Sequence, residues 1–267
     1  LYGSAMSSAN GAVTTMSPTG NIIYFVMLDR FANGDASNDE GGLTGFPAVT
    51  GYDPEDIGYF HGGDLNGLTS KLDYIKSLGF NSIWITPPVK QRYVQGDSAA
   101  YHGYWGIDFT TIDPHLGTEE DFKNFVSEAH SRGIKVIVDI VINHTGDIIR
   151  YKGDVYSYSD LASYPYKDCS GKKFDVTKYV GKTSFPKLCA AKSFPVPPTV
   201  SDKNKNVKAP AFLNDITNYH NRGDSTFQGE SSTFGDFFGL DDVFTEKPEV
   251  VAGWTKVDED RKSTRLN

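Results

Sequence analysis

Three side chains capable of chemistry stand together at the end of an apolar run: Asp139, Asn143 and His144. The run, Lys135 to Ile142, has the composition of a buried strand, on which residues two apart face the same way. Asp139 and Asn143 are therefore predicted to share one face, with His144 at the carboxyl end, where parallel α/β proteins place their sites. A carboxylate inside an apolar strand is costly unless it is paired. We therefore expect Asp139 to have a structural role, a core salt bridge being the simplest.

A second group of residues is rich in oxygen atoms and could bind a hard cation. It consists of a loop and a later Gly-Gly-Asp segment, with candidate ligands at Asn33, Asp35, Asn38, Asp39, Gly62 and Asp64. Calcium takes six to eight oxygen ligands, including backbone carbonyl oxygens, so this set suits it. The spacing departs from the EF-hand pattern. A turn rich in Asn and Asp that binds no metal explains the same composition equally well.

The elements that must position these residues are predicted from the spacing of apolar side chains. Short β-branched and aromatic runs indicate buried strands at Ile22 to Leu28, Ser82 to Thr86 and Lys135 to Ile142. A helix between the first two is indicated by helical spacing and a terminal glycine, at Leu68, Leu72, Ile75, Leu78 and Gly79. A second helix is indicated by a Thr118 cap, by Phe122, Phe125, Val126 and Ala129, and by Gly133. This order is typical of a parallel sheet with right-handed crossovers.

The remainder of the chain is less regular. Residues 146 to 210 are rich in Tyr, Ser, Lys, Gly and Pro without sustained periodicity, which favours a small inserted domain over a bare loop. This stretch holds both cysteines, Cys169 and Cys189; a disulfide between them suits an oxidising compartment, and two free buried thiols are the alternative. Pro248 begins a helical pattern that runs to Lys256. We expect residues 1 to 20 to form a loose arm and residues 258 to 267 to be a tail or a junction foreign to the fold.

Composition limits the classes of partner. The 267 residues carry 26 Lys and Arg against 34 Asp and Glu, and the net charge of −8 disfavours binding to nucleic acid and to anionic lipid. No run of 18 apolar residues occurs, so no membrane span is expected. The 17 Phe and 15 Tyr suffice for a packed core, where most are expected, although exposed rings are also how proteins hold sugars. A neutral or cationic ligand is favoured.

Several motifs resemble, in their order and spacing, those of the α-amylase family, glycoside hydrolase family 13. DIVINHT, residues 139 to 145, is similar to the family's third-strand motif, and GFNSIWITPPV, residues 79 to 89, to its second-strand motif. AYHGYWGID, NGDASNDE with HGGD, and the stretch from Tyr219 to Asp242 most resemble the cyclodextrin glucanotransferases and the amylases close to them. The resemblance implies the N-terminal part of a (β/α)8 TIM barrel over residues 21–145. It further implies an inserted irregular domain, associated with calcium, over 146–215 and a return to the barrel over 216–257.

The resemblance also implies roles for individual residues. In cyclodextrin glucanotransferases the positions that match the oxygen-rich set, Asn33, Asp35, Asn38, Asp39, Gly62 and Asp64, bind calcium. A second calcium site, general to the family, implies Asn143 and Asn218 as ligands, the latter with one charge fewer than the Asp common in relatives. Tyr104 is expected to stack on a glucose ring and His144 to donate to a sugar hydroxyl. His102 and Trp105 are further candidates for the same pocket.

The activity implied by the resemblance is that of a secreted, calcium-binding enzyme that hydrolyses α-1,4-glucosidic bonds of starch and maltooligosaccharides with retention. Retention requires two carboxyl groups about 5 to 5.5 Å apart. The family's motifs for its catalytic carboxylates, after strands four, five and seven, do not occur in this sequence. We therefore assign no catalytic residue, and expect an N-terminal fragment that is inactive alone, belongs to a protein that is monomeric when full length, and leaves Asp139 without its arginine partner.

Three alternatives differ from this interpretation in their chemistry. Cyclodextrin-forming transglycosylation uses the same motifs, and calcium-dependent binding of glucan without catalysis needs only part of them. A transition-metal hydrolase built on Asp139 and His144 is disfavoured, because no further nearby His or Cys completes a ligand shell.

Overall fold

The structure, a computed structural model, describes residues 20–264 of the chain, with side chains up to residue 260. Its strands are β1 (Ile23–Val26), β2 (Ser82–Ile85), β3 (Val89–Gln91), β4 (Val94–Gln95), β5 (Ser98–Ala99), β6 (Gly106–Ile112), β7 (Lys135–Val138), β8 (His144–Gly146), β9 (Arg150–Tyr151), β10 (Pro198–Thr199) and β11 (Leu240–Asp242). Its α-helices are α1 (Pro47–Thr50), α2 (Leu65–Ser70), α3 (Leu72–Ser77), α4 (Glu119–Ser131), α5 (Ser231–Phe234) and α6 (Pro248–Thr264). Short 3-10 turns lie at Leu28–Arg30, Val176–Tyr179, Asp202–Asn204, Ala211–Asn214 and Ile216–Asn218.

A three-stranded parallel sheet in the order β1-β2-β7 forms the centre of the fold. Its register places Tyr24 beside Ile83, and Ile83 beside Val136. The predicted order of strands and helices is confirmed, since α2 and α3 lie between β1 and β2 in the chain, and α4 lies between β2 and β7. The first predicted helix is in fact two helices that meet at Lys71, whose backbone N–H donates to Leu68 O.

The helices cover one face of this sheet. A single cluster joins the inward side chains of the strands to those of the helices: Val26, Ile83, Ile85, Leu65, Leu68, Leu72, Ile75, Phe122, Phe125, Val126 and Ala129. Each fully buried aliphatic side chain contributes about 1.5–3 kcal/mol. The helix α4 begins at the predicted cap, where the Thr118 hydroxyl accepts from the Asp121 N–H and the Asp121 carboxylate accepts from the Thr118 N–H.

The opposite face of the sheet is apolar but open. Phe25 is 50% exposed and Trp84 is 39% exposed, and their rings contact each other edge to face at 5.2 Å. The prediction that these strands are buried on both faces is therefore wrong for this face within residues 20–264. The connections between these consecutive parallel strands are right-handed crossovers, which put their helices on the same side of the sheet. The other side is therefore left without a helix.

The third strand is shorter than predicted. It ends at Val138, and the Asp139 N–H donates to Ile85 O at 3.1 Å as the ladder closes. Beyond Ile85 the neighbouring chain continues into Pro87 and Pro88, which have no N–H to donate. Asp139 and Asn143 consequently do not share a face of one strand, and that prediction is wrong.

Residues 146 to 246 form an irregular region with its own apolar packing. Two-stranded antiparallel pairs join β9 to β10 and β8 to β11. Cys169 and Cys189 form a disulfide, with Cα atoms 5.1 Å apart, which is the first of the two alternatives open from the sequence. The cluster around Tyr166 and Phe194 includes Phe234 and Phe244, so the packing continues past residue 215. An open groove of about 550 Å³ lies on this region, lined in part by Leu161, Phe174 and Glu230, and contains none of the predicted site residues.

The last helix corrects the prediction of a tail at residues 258–267. The helix α6 begins at Pro248 as predicted and continues to Thr264, while residues 265–267 lie outside the described part. Val250, Trp254 and Val257 are buried against the cluster that contains Phe109 and Leu213. These three apolar side chains, at positions i, i+4 and i+7, thus anchor the helix, and the polar second half of α6 continues from this anchored part.

Candidate functional site

Residues predicted to contact sugar meet at the carboxyl end of β7. The Tyr104 hydroxyl donates to the Asp139 carboxylate at 2.7 Å. His144 Nε2 lies 3.0 Å from the backbone oxygen of Tyr104. Asp139 therefore has the phenol of Tyr104 as its partner within the described residues, and the simple core salt bridge expected from the sequence is not what pairs it.

A tight turn brings the other two candidates to the same place. Gly103 adopts φ +86°, and a Cβ there would come within 2.4 Å of Pro87 O, so only glycine fits. The rings of His102 and Tyr104 stack at 5.7 Å, and the indole of Trp105 meets the His102 ring edge to face at 5.0 Å. The backbone N–H of Trp105 donates to Gln91 Oε1 at 2.6 Å, which fixes the end of the turn. All four predicted sugar residues thus belong to one cluster, called the aromatic cluster below.

Burial sets the protonation of the aromatic cluster. Desolvation, with the Arg30 and His144 charges as smaller causes, lowers the pKa of His102 to about 4. Desolvation also lowers the pKa of His144. Burial and the hydrogen bond to Asp139 raise the pKa of Tyr104 to about 12. At neutral pH both imidazoles are therefore neutral, each with one donor and one acceptor nitrogen, which is the state that hydrogen-bonds sugar hydroxyls. His102 Nδ1 already accepts from the Tyr104 N–H at 3.0 Å.

The oxygen-rich loop is held together by the buried carboxylate of Asp64. One of its oxygens accepts from the N–H groups of Gly34 and Gly67, at 3.1 and 2.6 Å. The other accepts from the Asp35 N–H at 2.8 Å and from Asn38 Nδ2 at 3.2 Å. Four donors use the four lone-pair positions of this carboxylate. Asp64 therefore acts as an N-cap of α2 and as an anchor for the loop, and it offers no free oxygen to a metal.

Other oxygens of the loop remain suitable for a cation. Asn38 Oδ1 is buried and has no hydrogen-bond partner, although a buried polar atom of this kind is nearly always paired. A Cβ on Gly62 would lie 2.5 Å from Asp39 Oδ1 and 2.6 Å from Asn33 Nδ2, so these residues line the same small space. The Asp35 carboxylate accepts from Ser37, which lowers its pKa and keeps it charged. An unpaired amide oxygen next to carboxylates fits calcium, with Asn33, Asp35, Asn38, Asp39 and Gly62 as the residues that would hold it.

The second predicted metal pair is different. The amide of Asn218 is buried, and its Oδ1 accepts from the Lys247 ammonium at 2.5 Å while its Nδ2 donates to Phe212 O at 2.8 Å. The Lys247 ammonium also donates to Thr217 O at 3.1 Å. Asn143 is exposed, and its backbone oxygen accepts from the Val243 N–H. The Asn218 amide oxygen therefore lies against the positive charge of the Lys247 ammonium, which disfavours a cation there, so the residues present do not fit the predicted second calcium site.

Sequence reasoning missed two features, one beside the aromatic cluster and one directly before β11. Arg30, shortly after β1, lies with its guanidinium carbon 3.9 Å from the centre of the Tyr101 ring and forms an ion pair with buried Asp29. Phe227, Phe237 and Phe238 are all more than half exposed and precede β11, the strand that pairs with His144–Gly146. The signals were present as a charged pair ending an apolar strand and as aromatic residues within a polar stretch. Neither has a periodicity that separates it from core or loop.

Among the side chains that the structure describes, no group of three or more His, Cys, Asp and Glu is arranged to hold a metal ion. None of the helices in residues 20–264 combines the length and the apolar character that crossing a membrane requires.

Comparison with known proteins decides the family. The model of the alpha-amylase catalytic domain matches residues 25–260. The chain belongs to the alpha-amylase family. An alpha-amylase of Streptomyces lividans is 52% identical over 220 residues, which are 80% of this chain and 24% of that protein. A cyclomaltodextrin glucanotransferase of Klebsiella oxytoca is 47% identical over 129 residues, 46% of this chain and 19% of the relative. This family member thus spans a quarter or less of the length of these curated relatives.

Solved structures of the family share the fold. A cyclomaltodextrin glucanotransferase with a three-domain ABC distribution superposes on 94% of this chain and 44% of its own, with a TM-score of 0.62 and 28% identity. The similarity agrees with the N-terminal part of a (β/α)8 barrel. The family match also continues through residue 260 and so includes the first part of the segment predicted to be foreign.

Proposed function

We propose that this member of the alpha-amylase family belongs to a glycoside hydrolase that acts on α-1,4-glucosidic bonds of starch and maltooligosaccharides. The single observation that carries the proposal is the convergence of Tyr104, His144, His102 and Trp105 into one cluster at the carboxyl end of the sheet. An aromatic face beside neutral imidazoles suits a glucose unit, whose ring has an apolar face and an edge of hydroxyls. The family match and the names of the relatives support the same substrate class.

The chemistry proposed for the whole protein is hydrolysis with retention of configuration. Such a reaction needs a nucleophilic carboxylate and an acid/base carboxyl about 5 to 5.5 Å apart. We assign neither role to a residue of this chain, because Asp139 is hydrogen-bonded to Tyr104 and positions that ring. In the proposal, the residues of the aromatic cluster bind and orient the sugar, and the catalytic carboxylates come from sequence that this chain does not contain.

Calcium and the cellular location are further parts of the proposal. The unpaired Asn38 oxygen and the space between Gly62, Asp39 and Asn33 support a calcium ion in the oxygen-rich loop, where it would fix the loop against α2. An inserted domain after the third strand is proposed for the irregular region, and the disulfide between Cys169 and Cys189 supports an extracellular protein. The net charge of −8 supports a neutral glucan as partner rather than nucleic acid.

A second candidate is transglycosylation that forms cyclodextrins. The observation that favours it is the exposed patch formed by Phe227, Phe237 and Phe238, with the first two rings 5.1 Å apart. Aromatic rings outside the position of bond cleavage offer a stacking surface to an incoming glucan. Glucan binding without turnover by the chain alone is the third outcome to be separated.

One experiment separates these functions. The full chain is titrated with maltoheptaose by calorimetry, and the same mixture is then assayed for new reducing ends and for cyclic products. The proposal expects saturable binding with no turnover by this chain, and new reducing ends without cyclic products from the whole protein. Cyclic products from the whole protein would establish the transferase instead. Absence of saturable binding by the chain would remove the glucan site itself.

A further inference from the structure

We propose that Asp29 and Arg30 are positioning residues that couple the oxygen-rich loop to the aromatic cluster. This inference rests on the proposed function, since it concerns how the glucan site is held. Neither residue is a predicted ligand of metal or sugar. Both lie shortly after β1, in the 3-10 turn Leu28–Arg30, and therefore extend from the carboxyl end of a strand of the central sheet.

The first part of the coupling is the set of hydrogen bonds by which Asp29 holds the segment before Asp64, at the end of the oxygen-rich set. The buried Asp29 carboxylate accepts from the His61 N–H at 2.9 Å and from the Gly62 N–H at 3.1 Å, and its backbone oxygen accepts from the Gly63 N–H at 3.0 Å. A Cβ on Gly63 would lie 2.4 Å from Asp29 O, so the two backbones are in direct contact. Asp29 consequently fixes the position of Gly62, which lies against Asp39 Oδ1 and Asn33 Nδ2.

The second part of the coupling is the set of contacts that Arg30 makes beside the turn of the aromatic cluster. Its guanidinium pairs with Asp29, donates to Ile57 O at 2.7 Å and lies 3.9 Å from the centre of the Tyr101 ring. The Tyr101 ring contacts that of His102 edge to face at 5.1 Å, and His102 in turn stacks on Tyr104. A cation over a partly desolvated ring is attracted to the negative face of that ring. Arg30 therefore restrains the start of the turn whose end carries the sugar contacts.

An apolar contact supports the same path. Phe60, directly before His61, lies in one buried cluster with Tyr101 and Trp105. The oxygen-rich loop and the aromatic cluster are thus joined both by the Asp29–Arg30 pair and by packing. Because the hydrogen bonds of the Asp29 and Arg30 side chains are directional and packing is less so, these two side chains are expected to transmit the position of Gly62 to the Tyr101 ring. Order imposed at Gly62 by calcium then reaches His102 and Tyr104.

The test compares Arg30→Met with Arg30→Lys and with Arg132→Met, a control that removes a partly exposed arginine paired to Asp73 and Glu128. Maltoheptaose affinity of the full chain is measured by calorimetry in calcium and in chelator. We expect calcium to tighten binding by the parent chain. Arg30→Met should weaken binding about fivefold to tenfold in calcium and remove most of the calcium dependence, as expected for a lost cation–π contact. Arg30→Lys keeps the charge and should recover most of the affinity, and Arg132→Met should match the parent.

A second readout does not require sugar. The chain has 3 Trp, so 5-fluorotryptophan labelling gives a 19F spectrum in which the Trp105 resonance is identified by loss in Trp105→Phe. Calcium should shift that resonance in the parent and not in Arg30→Met or in Tyr101→Leu, which removes the ring but leaves the ion pair intact and serves if Arg30→Met does not fold. If the parent fails to bind maltoheptaose but shows the calcium-induced shift, and both variants lose that shift, the proposed function alone is refuted. An equal shift in parent and variants, or equal calcium dependence of affinity, would overturn the coupling.

Discussion

Two regions of the molecule bury charged groups, and they satisfy them differently. The junction, defined here as residues 208–249, pairs the charged ends of three buried side chains internally: Lys208 with Asp241, His220 with Asp242 and Glu246, and Lys247 with Asn218. Two atoms of the junction, Asn221 Oδ1 and Arg222 Nη1, are also buried without a hydrogen-bond partner among the described residues. The site region, formed by the oxygen-rich loop and the aromatic cluster, leaves Asn38 Oδ1 unpaired and keeps His102 and His144 neutral.

This difference separates structural from functional polar groups. Charges paired inside a protein hold its parts in register and are strongly destabilising when one partner is removed. In the site region, the unpaired Asn38 oxygen lies near the Asp35 and Asp39 carboxylates and the neutral imidazoles lie among aromatic rings, so a ligand could complete either set. Variants of the junction should therefore change stability without changing ligand response, and variants of the site region should do the reverse.

The largest effect is expected from Lys247→Met at the junction. The substitution leaves Asn218 Oδ1 and Thr217 O buried without their donor, and the free energy of unfolding should fall by about 2–4 kcal/mol. Urea denaturation of the full chain measures it. Lys205→Met, which breaks only an exposed pair with Asp202, is the control and should change stability by less than about 0.5 kcal/mol. Equal urea midpoints for Lys247→Met and the parent would mean that the Lys247 ammonium does not stabilise the folded chain.

Next in size is the calcium response of Asn38→Ala. Calcium at about 100 times its dissociation constant should stabilise the parent by about 2.7 kcal/mol, and removing the unpaired oxygen should abolish most of that gain. Thermal unfolding with calcium and with chelator measures both. Asn218→Ala is the matched junction variant: it should unfold more easily in both conditions and keep the full calcium response. The reverse pattern would move the metal to the junction.

His220, which is buried, and His102, which is partly buried, should respond to pH in opposite directions, by on the order of 1–3 kcal/mol. Desolvation lowers the pKa of His220, but the carboxylates of Asp242 and Glu246 outweigh it and raise that pKa to about 9. The contribution of His220 to the free energy of unfolding is therefore complete below pH 6.5 and is lost as pH rises through 9. The pKa of His102 is lowered to about 4, so the unfolded chain takes up the proton first and stability falls as pH drops from 6.5 towards 4.

Urea denaturation across pH 4 to 10 checks both histidines. His220→Gln should be much less stable than the parent at pH 6 and close to it at pH 10. His102→Gln should remove part of the fall in stability between pH 6.5 and 4. Parallel pH profiles for the parent and both variants would contradict the assigned protonation states.

The smallest effect is expected from Tyr104→Phe. It removes one hydroxyl that donates to Asp139, and the free energy of unfolding should fall by about 1 kcal/mol. Tyr74→Phe, on the exposed side of α3, is the control. Stability equal to that of the parent would show that water replaces the phenol as partner of Asp139.

Much of the fold could be predicted because the signals are local. The three central strands lie inside the predicted apolar runs, and Thr118 with Asp121 begins α4 as the capping pattern requires. The end of β7 at Val138 could not be read from its own residues, because it depends on Pro87 and Pro88 in the neighbouring strand. The helical extension to Thr264 was missed for a similar reason, since Trp254 and Val257 anchor it through contacts with residues far away in the chain.

The candidate site divides in the same way. Residue type and order were enough to bring Tyr104, His144, His102 and Trp105 together as candidates. Whether an oxygen is free was not predictable, because it depends on partners brought by folding. Asn218 meets Lys247, 29 positions further along the chain, and Asp64 meets the N–H groups of Gly34 and Asp35, so neither offers the oxygen that its position implied.

The most direct test of the glucan site is calorimetric titration of maltoheptaose into the parent chain, His144→Ala and His130→Ala. His130 is exposed on α4, away from the aromatic cluster, and serves as the matched control. The account predicts saturable binding by the parent and by His130→Ala, and binding at least about tenfold weaker by His144→Ala, as for loss of a hydrogen bond to a buried group. Equal affinity in His144→Ala, or no saturable binding by the parent, would contradict it.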